Sequence, residues 1–312
     1  MLKINCHNLS VVAIVVTYNR KILLEQCLHS VLAQSIRPEK IIIIDNNSND
    51  GTFSHLTSSG LFNELCISYI HMDSNQGGAG GFYQGIKVAS DQNIYDFFWC
   101  MDDDCIPEFN ALEKLLSPVK SHENIGFICS RVNWSDGSPH LMNIPSIRMS
   151  TNNTPFNIYD DEHILLVRSC SFVSILVSNI AIKKIGFPLK EMFIWGDDIE
   201  FTTRIVQAGF LGLYAMDSKV THLTIKNIND DIFNANKDDS FKFFYGIRND
   251  LYFKRKNNGV VNYLFSLIYR LSFFNIKIFL RRKDFAWLFI FINIRASVMA
   301  VFFYPLTVFP NA

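Results

Sequence analysis

The sequence predicts an α/β fold in which a mixed, mainly parallel sheet is flanked by helices. Two short β-branched runs, residues 11–16 and 41–44, are typical of strands that are buried on both faces. Between them, residues 21–33 repeat apolar positions at helical spacing. The order strand, helix, strand predicts parallel pairing, because the crossover helix returns the chain to the same end of the sheet.

Later segments extend this pattern less regularly. Residues 133–161 are polar and rich in Ser, Asn and Pro, and they predict a long loop region. The remaining predicted strands are 67–71, 97–101, 172–179, 211–214 and 219–222, and the remaining helices begin at Asn49 or Asp50, at Gly77 and near Asp197.

Charge divides the chain into two parts. The net charge of +0 conceals a balance of +9 over residues 241–312, which also hold 20 of the 43 aromatic residues. We therefore expect a catalytic domain over residues 1–240 and a basic, aromatic helical region over residues 241–312, with its own partner. The seven cysteines show no paired spacing, which is typical of reduced thiols in a cytoplasmic protein.

Acidic residues fall at the predicted carboxyl ends of three strands, where open parallel sheets bind their ligands. Asp45 follows the second strand, and Asp217 follows the strand 211–214. Asp102, Asp103 and Asp104 follow the strand 97–101, and adjacent carboxylates repel one another unless a cation lies between them. Alternate residues point the same way, so Asp102 and Asp104 are expected to share one Mg²⁺ or Mn²⁺. The alternative is a solvated acidic loop.

Two further motifs have a functional and a structural interpretation. Residues 75–82 contain four glycines in five positions, which suits either close approach of an anionic ligand or an ordinary turn. Their spacing matches neither the Rossmann nor the P-loop pattern. Asp197 and Asp198 follow Trp195 and Gly196; they suit either helix capping or proton transfer beside a stacked sugar ring. His222 suits either a structural role or Mn²⁺ ligation.

In order along the chain, these motifs resemble those of the inverting glycosyltransferases with the GT-A fold. The resemblance spans about 210 residues and is most specific for the galactofuranosyltransferases, which use UDP-galactofuranose; the dTDP-rhamnose-dependent rhamnosyltransferases are the close rival. Residues 244–252 also resemble a stretch that follows the catalytic domain in both groups. The matching segments are 15–20, 44–51, 75–82, 101–104, 195–200 and His222.

The resemblance implies a role for each matching residue. Asp102, Asp104 and His222 would bind the metal, and Asp198, rather than Asp197, would be the general base. Trp195, Gly196 and Glu200 would orient the acceptor. The nucleotide-sugar donor would contact Thr17, Asn19, Arg20, Asp45, Asn47, Gly77, Gly78, Gly80 and Asp103, with Asp45 directed to the uracil.

The expected reaction transfers a sugar with inversion onto a hydroxyl of a bacterial surface glycan or its lipid-linked precursor. The metal neutralises the departing diphosphate while the base deprotonates the acceptor. We expect no nucleic-acid partner. A catalytically inactive scaffold of a polysaccharide assembly complex is the alternative of another class. A nucleotide-sugar pyrophosphorylase is disfavoured, because the segment 17–20 is not the basic, Gly-rich motif it needs.

The C-terminal region predicts amphipathic helices. In residues 260–281 the polar positions share one face, and the apolar run 285–309 is interrupted by Arg295. This pattern favours a helix lying on the inner face of the cytoplasmic membrane. Helices that pack on the catalytic domain or on a second subunit are the alternative. The polar positions are Asn262, Ser266, Arg270, Lys277 and Arg281.

Overall fold

The computed structural model describes residues 9–149, 154–228 and 230–310 of the 312-residue chain. Within them, ten strands form a mixed sheet. They are β1 (Val11–Thr17), β2 (Lys40–Asp45), β3 (Ile67–His71), β4 (Phe97–Asp102), β5 (Cys105–Pro107), β6 (Ile125–Asn133), β7 (Ser146–Ile147), β8 (Ile164–Ser169), β9 (Ile175–Ser178) and β10 (Leu211–His222). Their order is β3-β2-β1-β4-β9-β6-β10-β8-β7, and β5 pairs with β10.

Strand direction explains where the site forms. Strands β1 to β4 are parallel, whereas β9 is antiparallel to both β4 and β6. Strand β6 therefore runs in the same direction as β4, and β10 is parallel to β6. Consequently β4 and β10 end at the same edge of the sheet, although two strands separate them. Strand β5 then pairs antiparallel with the end of β10, opposing Cys105 to His222.

Helices cover both faces of the sheet. Alternate residues of β1 point to opposite faces, so Val11, Ala13 and Val15 join one core and Val12, Ile14 and Val16 the other. Helices α1 (Lys21–Leu32) and α4 (Ala111–Leu116) cover the first core. The second core lies under α3 (Gly77–Asp91), α5 (Asn179–Ile185) and α6 (Asp197–Gln207). The remaining helix before the C-terminal region is α2 (Thr52–Ser58).

Several predicted boundaries are wrong. Residues 211–222 form one long strand with an irregular register between Ala215 and Lys219, instead of two short strands. Asp217 lies in that irregular part, where its exposed carboxylate is 3.1 Å from the His163 ring, so it is not at a carboxyl end. Helix α2 begins at Thr52, after the predicted Asn49 or Asp50. Strands β6 and β8 were not predicted.

The predicted long loop contains regular structure. A short 3₁₀ helix, Leu141–Asn143, precedes β7, and a second, Asp160–Glu162, precedes β8. Residues 150–153 of this region lie outside the described part of the chain. The first of these short helices places Asn143 next to His222.

The C-terminal helices are α7 (Ser240–Asn257), α8 (Gly259–Leu271), α9 (Phe273–Arg281) and α10 (Ala286–Phe302). They share a separate hydrophobic cluster. The extended segment after α10 returns to the catalytic domain, where Phe187 N donates to Val308 O at 2.8 Å. No single helix of the described residues is long and apolar enough to span a membrane; α8 and α9 pass the length and composition test only together, bent by 43°.

Candidate functional site

Three predicted metal ligands converge at the shared edge of the sheet. Ligand atoms of Asp102, Asp104 and His222 all lie within 4.8 Å of one another. The pairing of β5 with β10 causes this convergence, because it places Asp104 beside the last residue of β10; Leu223 N donates to Asp104 O at 2.9 Å. Two carboxylates and an imidazole form a donor set that suits Mn²⁺.

Hydrogen bonds orient the His222 ring towards this cluster. His222 Nδ1 lies 2.9 Å from Asn143 Oδ1, and Asn143 Nδ2 donates to Ser171 Oγ at 2.9 Å. The amide oxygen therefore faces the ring, which places the proton of a neutral ring on Nδ1 and leaves the Nε2 lone pair for a cation. The ring also stacks on His140 at 4.6 Å between centroids. Neither Asn143 nor His140 was predicted; both lie near an irregular loop without a recognisable motif.

The electrostatics of the cluster fit a divalent cation. Asp104 Oδ1 is buried without a hydrogen bond of acceptable geometry, although His222 Nε2 is only 3.0 Å away. Burial, together with the charge of Asp104, raises the pKa of Asp102 to about 6. Burial acts to lower the pKa of His222, but the adjacent Asp104 carboxylate outweighs it and raises that pKa. A metal ion bound between Asp104 and His222 would take the place of this proton.

Asp103 organises the loop between β1 and α1. Its buried carboxylate accepts a 2.7 Å hydrogen bond from Thr17 Oγ1 and lies 3.3 Å from Arg20 Nη1, which also contacts Asp104. Thr17 and Asp103 are 1% and 3% exposed, so neither side chain is open to a ligand. In this arrangement both side chains hold the loop, and their contact with the donor stays a prediction. Arg20 is half exposed and stays within reach of a donor.

Asp45 is also more enclosed than predicted. Its carboxylate accepts from Ser48 N at 2.7 Å and from the Tyr69 hydroxyl, and His71 Nδ1 lies 3.5 Å away. A direct contact between Asp45 and uracil is therefore not supported in this arrangement. Asn19 connects this loop to β1, because its Oδ1 accepts from Asn49 N at 2.8 Å. Asn47 is exposed.

The glycine-rich segment positions a helix. A Cβ on Gly81 would lie 2.4 Å from Val16 Cγ1, so glycine allows α3 to approach β1 closely. Gly77 has φ +71°, and its Cβ would lie 2.0 Å from Phe193 O. Gly80 is similarly crowded by Gln76, whereas the corresponding space at Gly78 is open. Of the three glycines predicted to contact the donor, Gly77 and Gly80 are buried and Gly78 is half-buried.

The adjacent carboxylates at the start of α6 have different environments. Asp197 is 6% exposed, and burial together with the charge of Asp198 raises its pKa well above the usual range. Asp198 is half-buried, and burial together with the charge of Asp102 raises its pKa to about 6. The influence of Asp102 on both groups places the pair close to the metal cluster. Burial thus favours the protonated form of both carboxyl groups, and it does so more strongly for Asp197 than for Asp198.

The other predicted acceptor residues have mainly structural contacts. Glu200 is 1% exposed and pairs with Arg204 at 3.0 Å and with Lys256 at 2.8 Å, so its carboxylate is engaged within the protein and its contact with the acceptor stays a prediction. Trp195 packs edge-on against Phe243, with ring centroids 5.1 Å apart. Gly196 has φ +89° and begins α6. Trp195 and Gly196 also line a cleft beside α7.

Helix α7 fixes the segment that precedes the carboxylate pair, a function that sequence reasoning missed. Asn249 Nδ2 lies within hydrogen-bonding distance of three carbonyl oxygens, those of Met192, Ile194 and Trp195, at 2.9–3.1 Å. Arg248 donates to Glu191 O at 2.7 Å. In the sequence, these residues were indicated only by the resemblance of residues 244–252 to the family. That resemblance assigned no role to Arg248 or Asn249.

Comparisons with known proteins agree with this fold. The family model described as glycosyl transferase family 2 matches residues 12–178, more than half of the chain. Galactofuranosyltransferase GlfT1 of Mycolicibacterium smegmatis is 27% identical over 208 residues, covering 65% of this chain and 67% of that protein. A poly-β-1,6-N-acetyl-D-glucosamine synthase of Staphylococcus aureus is 29% identical over 130 residues, 42% of this chain and 28% of that protein.

Solved structures show the same fold. GalNAc-T7 with UDP, GalNAc and Mn²⁺ superposes with a TM-score of 0.56 at 15% identity, over 79% of this chain and 50% of that one. TarS of S. aureus gives 0.53 at 16% identity, over 81% and 45%. The fold is the GT-A fold with an added C-terminal helical region. The chain belongs to glycosyltransferase family 2, and it spans about half the length of these two solved structures.

Proposed function

We propose that this glycosyltransferase is a metal-dependent, inverting galactofuranosyltransferase. It moves galactofuranose from UDP-galactofuranose onto a hydroxyl of a bacterial surface glycan or its lipid-linked precursor. The observation that carries the proposal is the convergence of Asp102, Asp104 and His222 beside the Asp197–Asp198 pair. The name of the M. smegmatis relative supports the choice of sugar.

In this proposal Asp102, Asp104 and His222 hold Mn²⁺ or Mg²⁺, which when bound neutralises charge on the diphosphate leaving group. Asn143 keeps the His222 ring turned towards the cluster. Arg20, half exposed at the same edge, is placed to contact the diphosphate. Gly78, at the start of α3, leaves room for the donor to approach the backbone.

Asp198 is the proposed general base. It is the more exposed member of the pair and is largely ionised at neutral pH, so it can accept the proton of an acceptor hydroxyl. Asp197, which is buried and has a raised pKa, is the group that we propose orients the acceptor. Because the hydroxyl attacks the face opposite the diphosphate, the anomeric configuration inverts. Retention in the product would contradict this mechanism.

We also propose that the C-terminal helices rest on the inner face of the cytoplasmic membrane. Three cations of the predicted polar stripe turn towards the protein body: Arg270 pairs with Asp250 at 3.1 Å, and Lys277 and Arg281 lie over the Phe233 ring. Large apolar side chains of the same helices are exposed. We call them together the apolar outer face, and they include Phe265, Phe273, Leu280, Trp287 and Phe302.

Charge supports a lipid surface as the partner of this face. Residues 259–312 contain six Lys and Arg residues and a single acidic residue, Asp284. Lys283 and Arg295 are exposed among the apolar side chains. Exposed aromatic and basic side chains on one face are typical of helices that lie on anionic membranes.

The proposed function is tested by measuring donor hydrolysis and binding with a panel of nucleotide sugars, with Mn²⁺ or with chelator. We expect hydrolysis of UDP-galactofuranose that requires the metal. Preference for dTDP-rhamnose would keep the mechanism and change the donor. No metal-dependent binding of any donor would contradict the proposal and leave an inactive scaffold as the function.

A further inference from the structure

A cleft of 610 Å³ lies between the start of α6 and the C-terminal helices. Two of its lining residues, Gly196 and Ile199, flank the Asp197–Asp198 pair in sequence. The cleft therefore begins next to the proposed general base. Apolar side chains of the segment before α7, of α7 itself and of α9 form much of the remaining wall, including Ile232, Ile247, Phe253 and Phe274.

Most polar side chains of the cleft have protein partners; Asp230 and Asp231 are the exposed acidic residues of its lining, and Asp231 Oδ1 accepts from Phe233 N at 3.0 Å. Asn249 Nδ2 faces backbone carbonyl oxygens, as described above. Asp250 Oδ2 lies 3.1 Å from Arg270 and 2.9 Å from Lys254. A polar ligand lying deep in the cleft would leave its own hydroxyl groups facing isoleucine and phenylalanine, which is costly. The wall of the cleft therefore offers mainly apolar surface to a ligand. The volume of the cleft is within the usual range for binding pockets.

We propose that this cleft binds a hydrocarbon chain that carries the acceptor sugar. The inference rests on the proposed function and assigns the chemical class of the acceptor: an amphipathic glycolipid, with its sugar at Asp198 and its chain along α7. The location next to Asp198 argues that the occupant is continuous with the reacting sugar. Helices α8 and α9 contribute Arg270 and Phe274 to the cleft and also present the apolar outer face, so a chain leaving the cleft meets another apolar surface.

The first test compares methyl and octyl β-D-galactopyranoside as probes, titrated calorimetrically below the micelle concentration with UDP and Mn²⁺ present. Each buried CH₂ group strengthens binding about fourfold. We therefore expect the octyl compound to bind at least tenfold more tightly than the methyl compound. Equal binding of the two compounds would overturn the inference.

Substitutions then locate the chain. Phe253→Asp places a carboxylate in the cleft and should abolish the octyl preference. Phe241→Asp is the matched control, since Phe241 lies on the same helix but is exposed and outside the cleft. Phe274→Ser is the second cleft variant if thermal melting shows that Phe253→Asp does not fold. Phe265→Asp alters the apolar outer face; loss of the preference in this variant with retention in the cleft variants would place the chain outside and overturn the inference.

Donor hydrolysis by the unaltered protein separates this inference from the proposed function. Metal-dependent hydrolysis without an octyl preference would overturn only the acceptor assignment. An octyl preference without hydrolysis of any donor would support an apolar site in this cleft but contradict the proposed function on which the acceptor assignment rests.

Discussion

Burial gives the neighbouring carboxylates Asp197 and Asp198 different chemistry. Both lie in the first turn of α6, and both feel the charge of Asp102. Burial raises the pKa of the deeper one, Asp197, well above the usual range, whereas the pKa of the more accessible Asp198 is raised to about 6. Their adjacency in sequence predicted a shared function, but only their difference in exposure assigns separate roles.

Asp198→Asn should lower the transfer rate by about 10²- to 10⁴-fold, because a general base contributes about that much. Binding of UDP with Mn²⁺ should change little, since Asp198 does not belong to the metal cluster. Asp197→Asn should cost less than about tenfold, because asparagine keeps the size of the buried side chain and can still form hydrogen bonds. Initial rates at saturating donor test both variants; the reverse ranking would exchange the two roles.

The pH dependence of transfer follows from the same difference. Burial raises the pKa of Asp198 to about 6, and the base acts when it is deprotonated. The rate should therefore be flat above about pH 7 and fall as the pH decreases through about 6. A bound cation nearby favours the ionised form and would move this fall to lower pH. A rate that increases between pH 7 and pH 5 would be incompatible with Asp198 as the base.

Sequence reasoning found the ligand types at the site but not their support. Asp102, Asp104 and His222 were predictable because carboxylates after a buried strand have few other uses. Asn143 lies in a short 3₁₀ helix within a region predicted to be loop, so nothing in the sequence indicated that it supports the His222 ring. Asp45 illustrates the opposite error, since its covering partner Tyr69 comes from the next strand.

At the scale of elements, close packing of α3 on β1 aligns the donor side of the site. Gly81 allows the contact with Val16, and a Cβ on Gly85 would lie 2.4 Å from Ile14 Cγ2. The glycines predicted as ligand contacts were Gly77, Gly78 and Gly80, whereas the four-residue spacing of Gly77, Gly81 and Gly85 is helical. In the structure Gly81 and Gly85 face the sheet, and Gly77 faces the backbone of Phe193.

A second point at the scale of elements is that the C-terminal helices should bind anionic membranes. The unaltered protein should co-sediment with vesicles of phosphatidylglycerol and phosphatidylcholine, and more weakly with phosphatidylcholine alone, because both apolar and basic groups contribute. The triple variant Phe265→Ser, Phe273→Ser and Trp287→Ser should lose most of this binding. The matched control changes exposed aromatics of the catalytic domain, Phe53→Ser and Phe109→Ser, and should bind as the unaltered protein does.

Two results would contradict a membrane role for the apolar outer face. One is equal vesicle binding by the triple variant and the control. The other is a dimer that the triple variant converts to a monomer, measured by light scattering without vesicles. That result would assign the face to a contact between copies of the chain, the alternative that the composition of residues 241–312 left open.

At the scale of the whole molecule, two halves of the sheet meet at the metal cluster. The parallel half, with its regular alternation of strands and helices, was predictable from periodicity. The mixed half was not, because β6 and β8 are separated by irregular segments and β10 contains a register shift that hides its continuity. Strand β9, antiparallel between β4 and β6, is the element that brings His222 to the same edge as Asp102.

The most direct test of the metal cluster is a titration with Mn²⁺, followed by electron paramagnetic resonance, with and without UDP. We expect the unaltered protein to bind Mn²⁺ more tightly with UDP. Asp104→Asn and His222→Ala should each weaken Mn²⁺ binding at least tenfold. Asn143→Ala should weaken it about 10- to 100-fold through the orientation of His222. The control Asp217→Asn, an exposed carboxylate on the same strand, should bind normally. Equal binding of Mn²⁺ by the unaltered protein and by the Asp104→Asn and His222→Ala variants would contradict the proposal that this cluster holds the metal ion.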